Sequence, residues 1–162
     1  RVTLTGGDVL VIPTENPDQL PLFQRRQIDA VWTVEPWVSR LVDQAGGKVY
    51  LEQSDAITTV LVASVKFLRT QPELARKFRA AHAELTAWIN AHPEEAQALV
   101  RKGLASATKR EVPAALVASA WRRLRFTDQV PAERFASLVA DAQAAGLLRH
   151  TIPLDRMFSQ AP

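Results

Sequence analysis

Val9, Leu10, Val11 and Ile12 form an unbroken apolar, mostly β-branched run that stops at Pro13. A run of that length, closed by a residue that cannot donate to a ladder, predicts a buried strand. The polar Thr14, Glu15 and Asn16 follow, and Asn16 is placed to cap a helix with Pro17 at its first position. Pro21 conflicts with that start because it removes an intrahelical bond. The regular helix is therefore expected to begin nearer Pro21 and to end near Gln27. Residues 28–33 predict a second strand. Glu35, Pro36 and Trp37 then open a helix with Leu41 and Val42 on its apolar side and Gly46 and Gly47 as its stop. Residues 49–51 and 58–63 predict a third and a fourth strand. Strands alternating with helices of this length indicate βαβ units and a mainly parallel sheet.

From Thr70 the apolar period becomes helical. Thr70 and Glu73 fit a capping box with Pro72 in the first turn. Leu74, Phe78, Ala81, Leu85, Trp88 and Ile89 recur at helical spacing and predict one buried face. Further helices are predicted from Pro93 to a stop at Gly103, over 113–123, and from Pro131 to Ala145. The last carries Phe135, Leu138, Val139 and Ala142 on its apolar face and ends at Gly146; residues 124–127 before it read as extended. The order is α/β first, then all helix, with no repeat and no low-complexity linker.

Composition narrows the class. The chain has 162 residues, 47% hydrophobic and 23% charged, which is enough for one core or two small lobes. No run approaches the roughly 20 apolar residues of a membrane span. Twenty Lys and Arg against 17 Asp and Glu leave a formal charge of only +3. The basic clusters at Arg25-Arg26, Lys109-Arg110 and Arg122-Arg123 are not interleaved with aromatics, so they read as solvated helix faces and not as a nucleic-acid groove. The chain contains no cysteine, which excludes disulfides, thiolate metal sites and cysteine nucleophiles together. It begins with Arg1 and carries no signal-peptide pattern.

A search for catalytic chemistry finds no convergent set. His82, His92 and His150 lack the i, i+4 spacing of a helical metal pair. Gly6-Gly7 and Gly46-Gly47 lack the flanks of a phosphate loop and read as turns. No serine sits in a G-x-S-x-G elbow, and Glu94-Glu95 are explained by a helix first turn. The expectation is a non-enzyme with no metal and no cofactor.

What stands out is the stretch from Ile28 to Trp37. In parallel sheets ligands bind beyond the carboxyl ends of strands, and a helix N-terminus there adds free N–H groups. Glu35 and Trp37 lie where the second strand hands over to its helix, and the 14–16 loop holds the equivalent place after the first. The two loops are expected to rim a cleft, with Thr14, Asn16, Trp32, Glu35, Trp37, Thr58 and Thr59 as candidate ligand-binding residues. Glu35 has two readings. Facing the ligand, it repels a plain anion by roughly 1 kcal/mol at about 4 Å even in water, against about 0.3 to 1 kcal/mol of attraction from the helix end. Capping its own helix or paired with an arginine, it leaves a plain anion admissible. Trp37 is read either as core or as an apolar or cation-binding wall, a part that falls to Trp32 instead if the strand register turns that ring inward.

The ordered signals Asn16-Pro17-Asp18-Gln19-Leu20, Gln27-Ile28-Asp29-Ala30, Glu35-Pro36-Trp37, Gly46-Gly47, residues 58–62 and Pro72-Glu73-Leu74 resemble the substrate-binding proteins of bacterial ABC importers of the nitrate, sulfonate, taurine and bicarbonate group. The likeness covers about residues 7–100. Two features depart from it: Arg26-Gln27 replaces the usual glycine before Ile28, and such proteins have two lobes and about twice this length. The resemblance implies an α/β chain forming part of a two-lobed periplasmic binding protein fold of type II, followed by a helical C-terminal region. Residues 1–52 would be the later half of the second lobe, 53–64 the strand crossing back, and 65–162 a helical region packing on the first lobe. It implies capture of a small solute and delivery to ABC permease membrane subunits, in the periplasm or on the outer face of the cytoplasmic membrane, with no nucleic-acid partner. One wall of the cleft is expected to be missing, and self-association through uncovered apolar faces is expected. Two alternatives share the fold: a thiamine-pyrimidine precursor synthase, disfavoured by the lack of cysteine, and an effector-sensing domain of a transcription regulator.

Overall fold

The computed structural model describes residues 2–3, 7–54, 56–130, 132–150, 153–154 and 157–158. Gly6 of the Gly6-Gly7 turn, Asp55, and Pro131 at the expected start of the last helix lie outside the described residues. The chain divides into two compact units, Arg1–Ser54 with Gln97–Leu124, and Asp55–Ala96 with Arg125–Pro162.

In the first unit, β1 (Val2–Thr3) pairs in parallel with β2 (Val9–Leu10), Val2 opposite Val9 and Thr3 opposite Leu10. Helices α1 (Asn16–Gln24), α2 (Trp37–Ala45) and α6 (Ala114–Trp121) follow. α2 packs on both α1 and α6. Its apolar side buries Leu41, as its spacing predicts, and α6 buries Leu116, Val117 and Ala120. Gly46 ends α2 in the left-handed conformation at φ 65°, where a residue without Cβ is unstrained.

α1 corrects two expectations. It begins at Asn16 itself and runs through Pro21, because a single missing N–H costs one bond near the helix start, not the helix. It stops at Gln24, where the Arg26 N–H donates to the Phe23 carbonyl and the Gln27 N–H to the Leu22 carbonyl, both at 3.0 Å. That pair of bonds is a Schellman closure, and it holds Arg26 at φ 58°.

The strand expectations are corrected more heavily. The first strand shrinks to Val9–Leu10, and Val9, Leu10, Val11 and Ile12 are exposed, not buried. Residues 28–33, 49–51 and 58–63 are irregular. An apolar β-branched run supplies the side chains of a strand, but the strand exists only when a neighbour completes its ladder. Among the described residues the only ladder is the two-residue pair β1–β2, so the molecule is mostly helical and an α/β sheet is not displayed.

The second unit holds α3 (Val65–Thr70), α4 (Pro72–Ala91) and α7 (Ala132–Ala144), and α5 (Pro93–Thr108) starts within it and continues into the first. α3 is an unforeseen helix, capped by Ser64, whose hydroxyl accepts the Phe67 N–H at 3.1 Å. Its presence undoes the capping box: the Thr70 hydroxyl donates to the Lys66 carbonyl at 2.9 Å, and Glu73 pairs with Arg76 instead. α4 packs on α3, yet the face expected to be buried is largely open: Leu74, Phe78 and Leu85 are all more than half exposed. The residue α4 does bury is Thr86, whose hydroxyl donates to the His82 carbonyl at 2.8 Å. α5 continues through Gly103, since an interior glycine costs only about 1 kcal/mol and no breaker follows until Pro113. On α7, Phe135 meets Phe158 edge-on at 5.1 Å, whereas Leu138 is exposed, contrary to its place on the predicted face. No helix of the described residues is long and apolar enough to cross a membrane.

Candidate functional site

The loops that precede α1 and α2 meet. The Thr33 hydroxyl donates to Asn16 Oδ1 at 3.4 Å, and the same oxygen accepts from Gln19 Nε2 at 3.0 Å. Asn16 therefore does not cap α1. Its amide instead ties the loop after β2 to the loop before α2, and the buried Gln19 anchors that tie from the first turn of α1. The Thr14 hydroxyl donates back to the Ile12 carbonyl at 3.0 Å, closing the turn that brings the chain into α1.

Glu35 sits at the entry to α2, after which a cis bond leads into Pro36. Its side chain is 4% exposed. One carboxylate oxygen accepts the Ser39 N–H at 3.1 Å, satisfying a free donor of the first helical turn. The other accepts from Arg123 Nη1 at 3.1 Å, across 88 positions of sequence. Arg123 also approaches Glu52 at 3.9 Å, so one guanidinium bridges two acids. The structure thus gives Glu35 both roles of its second reading, helix cap and arginine partner. Arg123 itself corrects the view of Arg122-Arg123 as a solvated basic face: it is the counter-charge of a nearly buried acid. No local pattern singles out Arg123 as that partner.

The two tryptophans differ. Trp32 is 71% exposed, an open ring beside the Thr33–Asn16 tie in sequence. Trp37 is half-buried, and the Arg40 guanidinium lies 4.8 Å from its ring centroid, so that face is already occupied by a cation. Thr14, Asn16, Trp32, Glu35 and Trp37 all belong to the first unit. Thr58 and Thr59 lie in the second, on an exposed irregular segment.

An open depression of about 400 Å³ in the same unit is lined by Phe23, Gln24, Arg26, Ile28, Asp29 and Ala45. None of the sequence-predicted residues lines it. It lies at the C-terminal ends of α1 and α2, whose dipoles oppose an anion there, and its lining carries one cation, Arg26, and one acid, Asp29. The joined loops lie at the N-terminal ends of the same two helices, where the field has the opposite sign. Among the described residues no group of histidine or acidic side chains could hold a metal ion.

Hydroxyl and amide side chains thus stand at the N-termini of two helices, and the acid beside them is neutralised from within. The chain belongs to the NMT1-like family, whose model matches residues 4–105. That match takes in β2, both loops, α1 and α2, and extends through α4. No curated protein and no solved structure matches the chain.

Proposed function

We propose that this chain is the solute-capturing part of a bacterial ABC importer for a small nitrate-, sulfonate- or taurine-like solute, acting in the periplasm or on the outer face of the cytoplasmic membrane. The observation that carries the reading is the family match over residues 4–105, which spans both joined loops. Thr14, Asn16 and Trp32 supply the direct contacts: two hydrogen-bonding side chains and one open apolar ring. Glu35 and Trp37 set the shape of the rim, because the carboxylate is held by Ser39 and Arg123 and the ring by Arg40. An acid already paired with an arginine adds little repulsion, so a plain anion is admissible at this rim.

The exposed Trp32 ring implies that a solute seated here is covered from one side only, and solute sites ordinarily bury most of their ligand's surface. Binding to this chain is therefore weak, and the fold reads as part of the two-lobed α/β architecture in which a second wall completes the cleft. A thermal-shift series with nitrate, alkylsulfonates, taurine and bicarbonate tests the reading, since a ligand that binds only the folded state raises the melting point by mass action. A rise for one member of this set at millimolar concentration is expected. A flat response to all of them, with a clear shift from an unrelated solute class, would replace the proposed ligand.

A further inference from the structure

Gln19 is only 5% exposed, and the two ends of its amide fare differently. Nε2 donates to Asn16 Oδ1 at 3.0 Å, while Oε1 meets no partner among the described residues. An amide buried with one end unmet is costly, and such a group is retained where its other end has a task. That other end holds Asn16. The Asn16 oxygen takes this bond and a second from the Thr33 hydroxyl at 3.4 Å, so both of its acceptor positions are filled from within the fold. The carboxamide is planar, so its nitrogen lies on the side away from the two donors, with two hydrogens to give. The reversed orientations fail. Turning Asn16 alone sets its NH2 against the NH2 of Gln19. Turning both amides restores the bond but leaves the Gln19 NH2 buried where Oε1 now stands, and orphaned donors are tolerated less well than orphaned carbonyls. The first turn of α1 offers little in place of this amide: Pro17 has no N–H, and the Asp18 N–H is spent on the Glu15 carbonyl at 3.0 Å.

We propose that Gln19 is a positioning residue that turns the two N–H groups of Asn16 toward the solute, where they donate to the oxygens of its nitrate-, sulfonate- or carboxylate-type group. This rests on the reading of the joined loops as the solute rim, and adds which end of the solute is held there. The hydroxyls of Thr14 and Thr33 have given their hydrogens to Ile12 and Asn16, so toward a solute they accept and do not donate. Recognition of acid oxygens therefore falls to Asn16. Glu15 and Asp18, both exposed and close to it in sequence, oppose an anion, so the dissociation constant is expected at about 1 mM or above.

A 15N NMR titration of the chain with sodium methanesulfonate, sodium nitrate and taurine reads the contact at the amide itself, with sodium chloride at equal ionic strength as the reference. One of these solutes should shift the Asn16 side-chain NH2 resonances saturably. Asn16→Asp keeps an acceptor for Gln19 and Thr33 but replaces the NH2 by a charged oxygen. It should weaken binding by at least about tenfold, while the melting point holds because a carboxylate suits a helix N-terminus. Gln19→Met keeps the length and removes the donor, and should cost about three- to tenfold in affinity. In an Asn16→Ala background the same change should cost nothing further, whereas a merely structural effect would recur there. Thr33→Val releases the same oxygen from the less buried side and carries the same cycle if Gln19→Met does not fold. Saturable binding that leaves the Asn16 amide unmoved, or that Asn16→Asp does not weaken, would overturn this role and leave the proposed function standing. Equal losses from Gln19→Met in both backgrounds would overturn it as well. A chain that none of the three solutes perturbs beyond chloride would overturn both.

Discussion

Leu41 on α2 and Phe78 on α4 each stand on the apolar side of an amphipathic helix, yet Leu41 is 8% exposed and Phe78 57%. The difference is in the neighbours, not in the helices. α2 meets α1 on one side and α6 on another, so its apolar side finds partners within its own unit. α4 packs on α3 by a different flank, and its apolar stripe is left over. Periodicity reports which side of a helix is apolar. Whether the chain supplies something to cover that side is a separate fact, and it is tertiary.

The sharpest way to break this contrast is to delete the two side chains. Leu41→Ala removes a packed group and leaves a cavity, and should lower the unfolding free energy by about 2 to 5 kcal/mol in urea titration. Phe78→Ala, measured at a concentration where the chain is monomeric, should change it by less than about 0.5 kcal/mol. Comparable losses at both positions would mean that the α4 face is covered after all.

The Glu35–Arg123 pair is next in size. Arg123→Met keeps the aliphatic length but strips a nearly buried carboxylate of its counter-charge. Because Arg123 is itself 29% exposed, water relieves part of the penalty, and a loss of about 2 kcal/mol is expected, below the range for fully buried pairs. Glu35→Gln retains a carbonyl oxygen for the Ser39 N–H and should cost less than Arg123→Met. If Glu35→Gln left stability untouched and abolished solute binding instead, the acid would be a ligand contact and its assignment to the rim's framework would fall.

Smaller effects separate the two helix ends of the first unit. Gly46 at φ 65° and Arg26 at φ 58° close α2 and α1 in the same left-handed conformation. Gly46→Ala should cost about 1 kcal/mol, and Arg26→Gly should gain about 0.5 to 1 kcal/mol, because only glycine adopts that region without a clash. Thermal unfolding of the two single variants should move in opposite directions.

These positions also show how far the chain could be read without its structure. Gly46 was legible as a helix stop because glycine announces the conformation it permits; Arg26 was not, because nothing about an arginine marks a left-handed residue. The two loops were expected side by side because each followed a strand of one parallel sheet; residues 28–33 form no strand, and the loops meet instead through the Thr33–Asn16 hydrogen bond. The pairing of Glu35 with Arg123 was not legible, since it joins residues 88 apart with no shared period. The apolar runs at 28–33, 49–51 and 58–63 were read as strands because their side chains suit one. A ladder, however, needs a neighbour on the same sheet, and no run of side chains encodes its presence. α3 was missed because its six residues are too few to establish a helical period, although Ser64 followed by Phe67 carried the cap.

The central claim is that this member of the NMT1-like family meets its solute at the loops joined by Asn16 and Thr33, with Trp32 as the open wall. A tryptophan-fluorescence titration with nitrate, an alkylsulfonate, taurine and bicarbonate tests it most directly, run on the natural chain and on Trp32→Ala. One of these solutes should change the emission saturably in the natural chain, and the change should vanish in Trp32→Ala while its melting point stays within about a degree, as expected for an exposed side chain. Saturable binding with unaltered affinity in Trp32→Ala, followed by the remaining tryptophans or by calorimetry, would contradict the placement of the solute at this rim.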